Sequence, residues 1–280
     1  MGSENDMTTR RELLGAALAA MVMEAAPLGM PMGCQLYPVR DRIPTDFEGL
    51  LKELHGIGFR TIETCSPPGY QKSGFTALES RSAAEIKKSM GAAGLRCTSC
   101  HYPLRELRAA MDARVEYAKA LGLEQMVISS FGLPRDAKLA DWARAAEEAN
   151  KLGEKAHKAG LGFGFHNHNT EFAMLEGKLI YDEIQRVFDP KLVQGQFQVT
   201  TISLGYDPAE MIAKYAGRIL SMHLSDWSSA TKKMAPVGHG SIDWKKLFTA
   251  ARKAGVKNYF VEMDLESMKT SAAFLKTLKV

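Results

Sequence analysis

The feature that most constrains this chain is a repeated phrase: helix, glycine, strand. Gly58, Gly94, Gly122, Gly160 and Gly255 each close a stretch of helical apolar periodicity and stand a few residues ahead of a short apolar run. The runs predict eight strands, at residues 33–36, 61–64, 96–100, 125–129, 162–166, 194–199, 219–223 and 259–262. Helical patterns at 46–57, 83–93, 104–121, 139–159, 180–188, 208–215, 244–254 and 267–278 separate and follow them. Eight strands alternating with eight helices require a parallel sheet covered by helices, and the expected fold is a single (β/α)8 TIM barrel. A doubly wound open sheet would need a glycine-rich phosphate turn after an early strand, and no G-x-G-x-x-G stands there. No linker interrupts the pattern, so residues 27–280 are read as one domain.

Composition narrows the function classes. With 280 residues, 45% hydrophobic and 24% charged, the chain can bury a large core. Its net charge of +4 comes from lysines and arginines spread along the chain rather than gathered in a run, which speaks against nucleic-acid binding. Four cysteines are too few for a disulfide framework. The run Cys97-Thr98-Ser99-Cys100-His101 matches the c-type haem attachment pattern. It is read instead as strand, on which side chains three apart face opposite ways. Near the N-terminus, Arg10-Arg11 leads into an apolar stretch at 16–23 that is too short to span a bilayer. This resembles a twin-arginine export signal, over residues 1–26, with cleavage near Ala25 or Ala26 and Glu24 as an imperfection. The alternatives are an uncleaved anchor or an ordinary amphipathic first helix. The expected location is periplasmic, with no further membrane segment.

Barrel enzymes place their chemistry at the C-terminal ends of the strands. Here those ends carry Glu63, His101, His166 with His168, Gln198, His223 and Glu262. His166-Asn167-His168 directly follows the run at 161–165, and residues two apart on a strand share a side. Two imidazoles facing one centre make a metal the candidate occupant. Each residue alone has a structural explanation: Glu63 can cap a helix, Gln198 can satisfy loop amides and His223 can be a hydrogen-bonded core histidine. Six at successive strand ends are harder to assign to packing.

From about Met32 to Val280 the chain resembles the xylose-isomerase-like TIM-barrel family, of the sugar phosphate isomerase/epimerase type. The resemblance rests on residues 35–40 at the barrel opening, His166-Asn167-His168, the stretch from Arg218 through His223 to Asp226, residues 236–244, and Tyr259-Phe260-Val261-Glu262. It implies one divalent metal ion on His166, Gln198, His223 and Glu262. Gln198 stands where the family has Asp, so Glu262 is the one anion of the set. Such a site holds its ion less tightly and leaves it a stronger Lewis acid, or has lost it. Two His, a Glu and a Gln suit Mn, Co, Fe or Zn better than Mg or Ca. Leu224-Ser225-Asp226 lacks the lysine that much of the family has before the Asp, which with export argues for an unphosphorylated substrate.

The implied activity is isomerisation or epimerisation of an unphosphorylated sugar or keto-sugar through proton abstraction and an enediolate. Glu262 or His168 would act as base, and His101 or Glu63 as acid or hydroxyl-orienting group. Tyr37 and Trp227 are candidates to stack on a sugar face, and His239, in the turn Gly238-His239-Gly240, to reach over the mouth. The same proton removal on a 3-keto-glycoside would expel the glycosidic oxygen and make the protein a lyase. A non-catalytic sugar-binding barrel is the reading if the metal is lost. The related AP endonuclease chemistry needs more His and acidic ligands than the chain's seven histidines supply. The expected partner is a small carbohydrate, with no nucleic acid and no membrane beyond the export segment; a homo-oligomer is left open.

Overall fold

The structure, a computed structural model, describes residues 26–280. Arg10-Arg11 and the expected export segment, apart from Ala26, lie outside the described residues. Eight parallel strands close a barrel: β1 (Gly33–Gln35), β2 (Thr61–Cys65), β3 (Arg96–Pro103), β4 (Gln125–Ser130), β5 (Gly162–His166), β6 (Gln194–Gln198), β7 (Ile219–Leu224) and β8 (Asn258–Val261). Each pairs with the next in sequence, and β8 returns to β1. Helices α1 (Ile43–Ile57), α2 (Ala83–Ala92), α3 (Leu104–Leu121), α4 (Leu139–Lys158), α5 (Ile180–Val187), α6 (Pro208–Lys214), α7 (Trp244–Ala254) and α8 (Leu265–Thr277) alternate with them. The chain is a (β/α)8 barrel. The five glycines that punctuate the sequence all have positive φ, from 75° to 121°, a turn that ends a helix and that side chains with a Cβ resist.

The strands alternate. Ile62, Met126, Ile128, Phe163, Phe165, Phe197, Met222 and Tyr259 are fully buried in the core beneath the helices. Most of the neighbouring positions point into the barrel and are polar, namely Gln35, Glu63, Ser99, Gln125, Gln196, Ser221 and Asn258, from seven of the eight strands, with Val127 and Phe260 as buried apolar exceptions. Barrel interiors are ordinarily filled by branched apolar side chains. Here a hydrogen-bonded network takes much of that space, with Gln125 Nε2 donating to Ser99 Oγ (3.0 Å) and Ser221 Oγ (3.2 Å) and Asn258 Nδ2 donating to Gln125 Oε1 (3.1 Å).

Several boundaries differ from expectation. β3 runs on to Pro103, which puts His101 inside the strand rather than at its end. Ile62 pairs with Cys97 but Glu63 with Ser99, so Thr98 is an unmatched bulge. That extra residue corrects the reading that Cys97 and Cys100 face opposite ways: they align with Ile62 and Thr64, two positions on one face, and both are buried away from the barrel interior. His101 lies on the other face, so the three residues of the haem-like run do not converge. Helix α1 starts at Ile43, with Pro44 in its first turn, and regularises only after Asp46, whose φ of −159° breaks it and whose Oδ1 accepts from Gly49 N (3.0 Å). Two short hairpins, Met174–Leu175 with Lys178–Leu179 and Asp226–Ser228 with Lys233–Ala235, had no sequence signal, being too short to show a period. Among the described residues no helix is long and apolar enough to cross a membrane.

Candidate metal centre

The centre is built upward from a buried carboxylate. Glu63 is fully buried on β2 and accepts from Gln35 Nε2 (2.8 Å), Gln196 Nε2 (2.7 Å) and Ser99 Oγ. Its Oε1 also faces His223 Nε2 and, at 3.1 Å, His101 Nε2. Burial alone would raise its pKa, but His101 and His223 outweigh that and hold it well below the usual carboxylate range. An ionised, enclosed carboxylate with this many partners neither donates a proton nor reaches a substrate. Glu63, expected as acid or hydroxyl-orienting group, thus lies enclosed among the side chains that hold the histidine rings.

The histidines stand on that floor. His101, His166 and His223 are all buried and present ring nitrogens within 4.8 Å of one another. Their ring centroids lie 5.1 Å (His101–His166), 5.2 Å (His101–His223) and 4.4 Å (His166–His223) apart. Partners set the tautomers. Gln196 spends its Nε2 protons on Glu63 and Ser221 Oγ (3.0 Å), so its Oε1 accepts from His101 Nε2 (2.6 Å), which leaves Nδ1 as the ring nitrogen outside that bond. Glu63 likewise fixes the proton of His223 on Nε2 and turns Nδ1 toward Glu262 Oε2 at 3.0 Å. Burial disfavours charge on His223, yet Glu262 and Glu63 against its two nitrogens push its pKa up to about 10. His166 goes the other way: burial, then His223, His168 and His101, drive its pKa well below the histidine range.

Glu262 follows β8 at the mouth, its side chain 20% exposed. Burial opposes its ionisation, but His223 holds its pKa below the ordinary value. Gln198, in register with His223 across β6 and β7, donates from Nε2 to Glu262 Oε2 at 2.8 Å. Two atoms of this group are buried without a hydrogen-bond partner, His166 Nδ1 and Gln198 Oε1. Gln198 Oε1 is an acceptor, as is His166 Nδ1 when the ring proton is on Nε2, and an acceptor orphaned in this way costs about 1–3 kcal/mol. Beside His223 and Glu262 they make a donor set consistent with a divalent cation. His166, Gln198, His223 and Glu262 are thus brought together, and His101 adjoins them through His166 and His223.

The remaining candidates are dispersed around the mouth. His168 is exposed, edge-on to His166 with centroids 4.7 Å apart. Partial desolvation, reinforced by His101 and His223, keeps its pKa below the usual histidine value. Tyr37 is 38% exposed and packs edge to face on Tyr70, while Trp227 is half-buried in the Asp226–Ser228 hairpin. His239 is exposed on a turn tied to Asp226. The role of Asp226 was missed: it is fully buried and accepts from six donors, the backbone N–H groups of Trp227, Gly238, Gly240, Ser241 and Ile242 and the indole of Trp244. The floor was missed as well, although the sequence carries a signal. Ser99-x-His101, Gln196-x-Gln198 and Ser221-x-His223 each pair an inward polar residue with a site residue two positions on.

Comparison with known proteins gives the same frame. The model of the xylose isomerase-like TIM barrel family matches residues 51–278. No curated protein matches the chain in sequence. Among solved structures, a sugar phosphate isomerase/epimerase from Parabacteroides distasonis ATCC 8503 superposes with a TM-score of 0.76 at 23% identity, covering 88% of this chain and 93% of its own. D-Psicose 3-epimerase with D-tagatose from Clostridium cellulolyticum H10 gives 0.65 at 14%, covering 88% and 95%. The IOLI protein with a bound zinc atom gives 0.66 at 13%, covering 89% and 98%. At these identities the structural likeness establishes the fold alone, while the family match spans most of the sequence: the chain belongs to the xylose isomerase-like TIM barrel family.

Proposed function

We propose that the protein is a metal-dependent isomerase or epimerase of an unphosphorylated sugar or keto-sugar. The observation that carries this reading is the pair of orphaned acceptors, His166 Nδ1 and Gln198 Oε1, beside His223 Nδ1 and the Glu262 carboxylate. These four residues would hold one divalent ion, Mn, Co, Fe or Zn by the softness of the donors. When bound, the ion supplies Lewis acidity that lowers the pKa of the C–H between a carbonyl and a hydroxyl. His168, exposed and unprotonated near neutrality, is the base that takes the proton and returns it. His101, its Nε2 held by Gln196, presents Nδ1 to orient a substrate hydroxyl. Glu63 and Gln196 keep the rings in place and do not meet substrate. The zinc atom described for one fold neighbour and the D-tagatose described with another support the metal and the substrate class. Export through Arg10-Arg11 belongs to the same proposal, tested by fractionating cells that express the chain with the pair intact or as Lys-Lys.

The decisive experiment combines metal analysis with proton exchange. Protein purified without chelators is expected to carry close to one equivalent of divalent metal, and a His223→Ala variant to have lost it. The metal-loaded protein should exchange substrate protons with deuterated water for unphosphorylated ketoses, and a His168→Gln variant should keep the metal and lose the exchange. Metal-free native protein that exchanges nothing after reloading would overturn the reading.

A further inference from the structure

The loops after β1 to β4 enclose a cleft of about 520 Å³ on the same end of the barrel as the histidines. Its wall includes Arg40, Lys72, Arg105 and Arg108 together with Tyr37 and Ser129, and no Asp or Glu. Arg108 is neutralised by a two-pronged bond to Glu148, at 2.7 and 2.5 Å. Among the described residues, Arg40, Lys72 and Arg105 have no carboxylate within ion-pair distance. Three cations without an ion-pair partner on one concave wall raise the local potential.

We infer that this cleft binds the carboxylate of an acidic sugar, so that the substrate of the neighbouring centre is a sugar acid rather than a neutral sugar. The inference rests on the isomerase reading of that centre. Two of the three cations are already fixed: Arg40 donates to Tyr37 O (2.7 Å) with its guanidinium 4.2 Å above the Tyr37 ring, and Arg105 donates to Gly69 O (3.0 Å). A guanidinium held in this way loses little freedom on meeting a planar carboxylate. Lys72 sits on the loop after β2 at φ 63°, a backbone state that lysine rarely takes. The cleft wall at Pro103 is two residues beyond His101 on the same strand, so a ligand seated there by its charged end lies next to the centre.

The test is calorimetric titration of the metal-loaded protein with glucuronate, glucose and glucose 6-phosphate at low and high salt. Glucuronate should bind at least about tenfold more tightly than glucose at low ionic strength, with most of the difference lost at high salt. A Lys72→Asn/Arg105→Gln variant should bring glucuronate down to the level of glucose while metal content and melting temperature stay unchanged. Asn tolerates the positive φ, and Gln keeps a donor for Gly69 O. Equal binding of glucuronate and glucose overturns the inference, as does tighter binding of glucose 6-phosphate that is lost in the same variant. Charge-dependent glucuronate binding to a protein that neither holds metal nor exchanges protons would sink the isomerase reading and leave the cleft standing.

Discussion

In the proposed centre, Gln198 would set how tightly an ion is held. Its Nε2 donates to Glu262 while its Oε1 is orphaned, so a neutral amide serves one anion and offers one lone pair. Gln198→Glu keeps the shape and adds a charge. Metal-free, it sets two carboxylates against each other and should lower the melting temperature; loaded, it should bind Mn or Zn about tenfold more tightly. Competition with a chelator measures this, and unchanged affinity would remove Gln198 from the ligand set. A second residue acts through pH. Glu171 is 4% exposed, its Oε2 accepts from His168 N (2.7 Å), and burial pushes its pKa from 4.5 up to about 7. A raised carboxyl favours the fold in its protonated form, so its contribution is complete below about 4.5 and is lost as the pH rises through about 7. Glu171→Gln should therefore unfold like the native protein at pH 4 and be more stable by about 2 kcal/mol at pH 8. Denaturant melts at the two pH values settle it, and equal stability at pH 8 would count against the buried acid.

At the scale of elements, the loop between β7 and α7 is folded around one side chain. The six donors that converge on Asp226 leave nothing for water, and Gly240 approaches so closely that a Cβ there would lie 2.2 Å from Asp226 Oδ1. Asp226→Asn turns an amide NH2 toward three N–H groups on one side of the carboxylate, a loss of about 2–4 kcal/mol. Hydrogen exchange at residues 238–242 should then rise well above that of the barrel strands, whereas native-like protection would show that the turn holds itself. No pattern in the sequence announces this clamp, because Asp226 and its donors are up to eighteen residues apart and in no periodic relation. The barrel was legible because its signals are local: a glycine that must take positive φ after each helix, and a short apolar run after each glycine. That His166, Gln198, His223 and Glu262 come together was legible as well, since strand ends of a closed parallel barrel must meet at one mouth. The role of Glu63 was not. Its position fits a catalytic acid equally well, and only the partners reached across the barrel reveal a buried, ionised support. Nor was the pairing of Cys97 with Cys100 on one face, because a bulge at Thr98 inverts the alternation that sequence spacing assumes.

For the molecule as a whole, the polar interior joins the proposed ion site to the closure of the barrel. Gln35, Glu63, Ser99, Gln125, Gln196, Ser221 and Asn258 bond strand to strand around the ring, and Glu63 hands that network directly to His101 and His223. The unfolded chain does not hold these donors together, so an ion that binds them binds the folded state alone. Its binding energy then adds to global stability as about 1.4 kcal/mol for each tenfold rise of free metal above the dissociation constant. Stripping the protein with a strong chelator should lower the melting temperature in one cooperative transition, and adding back Mn or Zn should raise it in proportion to the logarithm of free metal. His223→Ala should start lower, having left Glu63 and Glu262 facing a buried gap, and should not respond to either metal. Calorimetric scans of both proteins across a metal titration make the comparison. A native melting temperature indifferent to metal would mean that the orphaned acceptors of His166 and Gln198 are not completed by an ion, and that the network holds the barrel without one.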